Sequence, residues 1–93
     1  MPLRTIMAMA AATPSPTPNP DAMKFTLDTK LQVSINFANA TAAAADPFAA
    51  EVFGTEGVAA IFGVNDFVTI TRVPGADWDP ITTAVVQAAA THL

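Results

Sequence analysis

The chain contains no cysteine. Disulfide staples, thiolate nucleophiles and thiolate metal ligands are therefore excluded within it, and its stability must come from packing. Histidine occurs once, at His92, so no pair of imidazoles exists to hold a transition metal or relay a proton. Cations are scarce: 4 Lys+Arg against 8 Asp+Glu give a formal net charge of -4. That sign is wrong for a phosphate backbone or an anionic lipid surface, so neither nucleic acid nor a membrane is an expected partner. No apolar run approaches the roughly 20 residues that cross a bilayer. The reading is of a soluble, cytoplasmic chain. The serines, Ser15 and Ser34, lack the flanking glycines of a strained nucleophile elbow. The glycines at 54, 57, 63 and 75 sit singly at turn positions and form no phosphate-cradling loop.

What is present is a small, apolar polypeptide. Its 93 residues, 52% of them hydrophobic, suit one domain spanning 1–93, able to bury roughly 60 to 65% of its unfolded surface. Much of the apolar content is alanine, which leaves enough large side chains for one core and too few for a large ligand cavity as well. Arg4 followed by Ile6–Ala12, with Ala8-Met9-Ala10 as a small-x-small site, has the outline of a minimal signal peptide. A buried strand over Leu3–Ala12 is the preferred reading of the same residues.

Prolines then occupy alternate positions at 14, 16, 18 and 20. Each fixes its own φ and pushes the preceding residue toward extended geometry, so Thr13–Pro20 is expected to be a stiff polyproline-like loop without regular structure. Such a loop either docks a partner with little entropy to lose or merely turns the chain between two strands. Met23, Phe25 and Leu27 alternate with polar residues, as do Leu31, Val33, Ile35 and Phe37. Period two over both runs predicts strands with one apolar face. Asn39–Ala45 reads as an Ala/Thr linker.

Asp46-Pro47 is a helix-start signal, with Phe48/Val52 and Ala49/Phe53 as i, i+4 pairs and Gly54 suited to a left-handed stop. Val58–Phe62 and Phe67–Val73 flank Gly63-Val64-Asn65-Asp66 and predict a hairpin. Asp77-Trp78-Asp79-Pro80 opens a last helix whose apolar stripe is Ile81, Ala84, Val85, Ala88 and His92. The order β-β-β-α-β-β-α makes an α+β domain: a mostly antiparallel sheet of about four to five strands with two helices on one face.

Each polar residue of note has a structural role to hand. His92 stands where helix C-terminal carbonyls favour its cationic form. Asp77 and Asp79 suit capping and the helix dipole, and Asp66 suits a hairpin turn. Trp78 has the bulk to cover the sheet edge where the last helix begins. No catalytic constellation and no cofactor is implied, so recognition by a rigid loop and its flanking strand is the expected mode of action. The alternative is a metal- or small-ligand-binding regulatory domain using the carboxylates Asp66, Asp77 and Asp79, or His92.

Thr17-Pro18-Asn19-Pro20-Asp21-Ala22-Met23-Lys24-Phe25 resembles the T-P-N-P-x-x-[ML]-K-[FI] signature near the start of the Nfu/NifU-like scaffold N-terminal domain family. Gly57-Val58 through Phe62, Asp66–Thr71 and Asp77-Trp78 resemble the remainder of that domain in order and spacing. The resemblance implies a domain that precedes an iron-sulfur scaffold domain whose C-x-x-C pair holds the cluster. With no cysteine, this chain is implied to act in an accessory way in cluster assembly or delivery, recognising a scaffold or client apoprotein as its protein partner. Pro18, Asn19, Pro20, Met23, Lys24 and Phe25 are the residues so implicated, as the partner surface or its support.

Overall fold

The computed structural model describes residues 10–31 and 33–93. Five strands, β1 (Ala12–Pro16), β2 (Ala22–Leu27), β3 (Ile35–Phe37), β4 (Val58–Val64) and β5 (Phe67–Arg72), form one sheet in the order β1-β2-β5-β4-β3. Every pairing is antiparallel. Among the described residues two helices, α1 (Pro47–Phe53) and α2 (Trp78–His92), join this sheet in the α+β architecture that the periodicities predict. The strand expected over Leu3–Ala12 and the signal-peptide alternative fall almost wholly outside the described residues.

Register explains where the core lies. Side chains alternate across a sheet, so residues opposite one another share a face. One face carries the row Pro14, Phe25, Val68, Gly63, Ile35 and the row Pro16, Met23, Ile70, Ile61, Phe37. Phe25, Val68, Ile70 and Ile61 are fully buried there, against Phe48, Ala49 and Val52 of α1 and Ile81, Val85, Ala88 and Ala89 of α2. Burying each of the larger of these side chains contributes about 1.5–3 kcal/mol. The stripe on α2 is turned slightly from the sequence expectation: Ala89 is buried and Ala84 only half-buried.

Both helices begin as their sequences indicate. The Asp46 carboxylate accepts from the Ala49 N–H at 3.0 Å, and that of Asp77 from the Asp79 N–H at 3.0 Å. The hairpin forms as expected but with a shorter turn: β4 runs on through Gly63 and Val64, which pair with Val68 and Phe67, and only Asn65-Asp66 turn the chain, Asn65 being left-handed at φ 56°.

Three local expectations are corrected. The proline-rich segment is not all loop, since Ala12–Pro16 is a strand paired with β2. It lies at the sheet edge, where one row of N–H groups goes unused, and alternate residues direct theirs to the same side. Prolines two apart therefore interrupt nothing. The strand expected over Leu31–Phe37 is confined to Ile35–Phe37, because Ile35 already pairs with Gly63 and β4 ends one residue further on. Residues before Ile35 run past the end of their neighbour, and Val33 is 71% exposed. Gly54 is not left-handed: at φ −66° its N–H still bonds to the Ala50 and Glu51 carbonyls. The left-handed residue falls at Gly57 (φ 101°), where a Cβ would stand 2.7 Å from that of Ala76.

Candidate functional site at the Thr17–Asp21 loop

Between β1 and β2 the chain reverses through Thr17-Pro18-Asn19-Pro20-Asp21, and local polar groups fix this reversal. The Thr17 hydroxyl accepts from the Asn19 N–H at 3.1 Å and reaches the Asn19 and Ala22 carbonyls at 2.9 and 3.0 Å. Asn19 Oδ1 accepts from the Asp21 N–H at 2.9 Å, so the side chain mimics a backbone turn. The Ala22 N–H closes onto the Asn19 carbonyl at 3.0 Å. With Pro18 and Pro20 offering no N–H and a fixed φ, little freedom is left.

The loop is also tied to the rest of the molecule. The Arg72 N–H bonds to the Asp21 carbonyl at 2.8 Å, and Arg72 Nε donates to Asp21 Oδ1 at 3.2 Å. Arg72 Nη1 donates to the Ala76 carbonyl at 2.7 Å, while its guanidinium carbon lies 5.2 Å from the centre of the Trp78 ring. Trp78 Nε1 in turn donates to the Pro20 carbonyl at 3.3 Å. Arg72 and Trp78 thus join the loop, the end of β5 and the start of α2. Exposed to solvent are the rings of Pro18 and Pro20 and the side chain of Asn19. The Thr17 hydroxyl and the Asp21 carboxylate are engaged by the loop and by Arg72, so what the arrangement presents outward is chiefly its shape.

The six residues singled out in the sequence do not share one surface. Pro18, Asn19 and Pro20 stand together on the loop. Lys24 projects from the sheet face opposite the helices, its Nζ 4.5 Å from the centre of the Phe67 ring. Phe25 is fully buried, and Met23 is half-buried against the same core. Both lie beneath the loop and strand as support. Sequence reasoning missed Asp21 and Arg72, and gave Trp78 only a covering role. The available signals were an acid directly after Asn-Pro and a rare cation at the end of an apolar strand.

The carboxylates named for metal binding are scattered. Asp66 occupies the hairpin turn at one end of the sheet, whereas Asp77 and Asp79 open α2 at the other. His92 instead meets Glu51 of α1, Nε2 to Oε1 2.8 Å. Among the described residues no three His, Asp or Glu side chains come together where a cation could sit. Among the same residues no helix is long and apolar enough to cross a membrane.

Several solved structures share this fold. Protein SAV1430 from Staphylococcus aureus, in its crystal structure, is 26% identical with a TM-score of 0.71, covering 84% of this chain and 96% of that one. SeR13 from Staphylococcus epidermidis is 29% identical with a TM-score of 0.60, covering 84% of this chain and 92% of its own. The NifU-like protein from Saccharomyces cerevisiae superposes with a TM-score of 0.74 at 23% identity, over 89% of this chain and 77% of that one, a likeness of fold. No curated protein matches the chain. Residues 13–93 match the family described as the N terminal of the scaffold protein Nfu/NifU, from the proline-bearing edge strand through the Thr17–Asp21 loop to the last helix; the chain belongs to that family.

Proposed function

We propose that the domain is a non-catalytic recognition module of iron-sulfur cluster assembly or delivery, docking a scaffold protein or a client apoprotein. Pro18, Asn19 and Pro20 form the contact, Lys24 adds a charge on the adjoining strand, and Met23 and Phe25 hold that strand in place. The observation carrying this reading is the fixed loop: Thr17 and Asn19 hold its backbone from within and Arg72 ties Asp21 to the sheet. Binding by a loop already fixed in shape avoids the ordering cost that a flexible segment incurs. Family membership supplies the pathway, and the lack of cysteine makes the role accessory to a cluster held elsewhere.

Affinity purification from the native cell, with wild type and an Asn19→Ala/Lys24→Glu variant side by side, tests the proposal. Cluster-assembly proteins or their apo clients are expected with the wild type and depleted with the variant, at equal melting temperature. Identical partners for both proteins, or none connected with clusters, would overturn it.

A further inference from the structure

Among the described residues no helix covers the second face of the sheet. Ser15, Lys24, Thr69, Phe62 and Asn36 form one row across it, and Thr13, Thr26, Phe67 and Val64 the next. A solvent-facing antiparallel surface is ordinarily polar, as the threonines here are. Phe62 and Phe67 depart from that pattern: their ring centres are 6.5 Å apart and Phe62 is 44% exposed.

Charge is distributed unevenly around this surface. In a chain carrying 8 Asp+Glu, no strand contains an acidic residue; Asp21, Asp28 and Asp66 flank strands, and the others belong to the helices and their approaches. The two ion pairs among the described residues are Arg72–Asp21 and His92–Glu51. Lys24 therefore stands beside the aromatic pair with no carboxylate partner, its ammonium over the Phe67 ring. From this charge pattern we infer that the outer face, centred on Phe62, Phe67 and Lys24, docks the apolar stripe of an acidic amphipathic helix from a partner protein.

Geometry and charge favour this occupant. Five strands span roughly 20 Å, ample for a helix about 10 Å wide, and α1 and α2 already use the opposite face in that way. A second copy is a poor match, since the strands of its own outer face would bring another Lys24 and no acid. Exposed charges elsewhere on the molecule are screened beyond about 8 Å at physiological salt, so the local composition of the face decides. The inference rests on the proposed recognition role in taking the partner to be a protein, and it shares Lys24 with that reading; the Pro18–Pro20 loop itself lies outside the face.

The test uses two synthetic helices of about five turns, each with Leu at i, i+3, i+4 and i+7, one with Glu and one with Lys at the remaining positions. Binding to the full chain is followed by amide chemical shifts. The Glu peptide is expected to shift residues 24, 62, 67 and 69, and to bind at least tenfold more tightly than the Lys peptide. Lys24→Gln and Phe62→Ser, both at exposed sites, should each weaken it about tenfold or more, while Asn19→Ala leaves it unchanged. Shifts confined to other residues, equal affinity for both peptides, or insensitivity to Lys24→Gln would overturn the inference. So would concentration-dependent shifts of the same amides without peptide, which would mark a self-association face, or nuclear Overhauser contacts from Leu3 or Ile6 to the Phe62 ring. Loss of peptide binding in Asn19→Ala alone would also overturn it and move recognition to the loop, whereas partner capture unaffected by Asn19→Ala beside intact peptide binding would count against the loop alone.

Discussion

Gly63 is kept small by crowding from its neighbours, and its backbone has no part in that. A Cβ there would lie 2.7 Å from Val68 Cγ1, 2.8 Å from Leu31 Cδ1 and 2.9 Å from Ile35 Cγ1. These atoms close the core at the end of the sheet where β3 is shortest, so the glycine lets Leu31 and Ile35 come down over β4. Only Leu31 Cδ1 ends a flexible side chain, whereas Val68 and Ile35 are β-branched and stiff at χ1, so Gly63→Ala should overpack the core at a cost of about 1–3 kcal/mol, measured as a lowered denaturant midpoint with unchanged slope. Phe25 presents the opposite case, a large ring with no exposure at all. Phe25→Ala is expected to cost about 3–5 kcal/mol as a core truncation. A binding defect in that variant would follow from unfolding, and chemical denaturation at 25 °C separates it from the defect of Asn19→Ala, whose site is exposed.

At the scale of elements, β1 shows how prolines serve an edge. An uncovered edge offers a row of N–H and C=O groups to any passing strand, and Pro14 and Pro16 remove donors from that row. Replacing both with Thr should leave the melting temperature within a few degrees while promoting association, visible as a rising light-scattering signal at high concentration. Persistent monodispersity would show that the prolines serve the loop alone. The same strand shows what the sequence conceals. Alternation in Met23–Leu27 was legible because the two faces of that strand differ in environment, and the hairpin was legible from its β-branched and aromatic runs on either side of turn residues. The Asp46-Pro47 start was legible because capping is local. β1 was not, since its assignment depends on lying outermost, and neither was the early end of β3, set by where β4 stops.

For the molecule as a whole, the candidate site was legible only in its exposed half. Pro18, Asn19 and Pro20 stand out by spacing, but their anchoring depends on residues about fifty positions away that only the folded sheet brings near. Arg72 holds that role: it donates to the Asp21 carboxylate and the Ala76 carbonyl and stacks near Trp78, whose indole reaches the Pro20 carbonyl. The Arg72 and Asp21 side chains retain 21% and 34% exposure, so solvent screening limits their pairing to about 1 kcal/mol at most. Arg72→Met keeps most of the apolar stem and removes all charged contacts. Since about 1 kcal/mol corresponds to roughly 4–8 °C in a domain of this size, the variant should melt within about 10 °C of the wild type. The larger effect should be local: the Asp21 and Ala22 amides, bonded to Asn19, should exchange faster while those of Phe25 and Ile70 keep their protection. Uniformly accelerated exchange would instead make Arg72 a support of the global fold, and unchanged exchange at Asp21 and Ala22 would show that the loop holds its shape from its own residues alone.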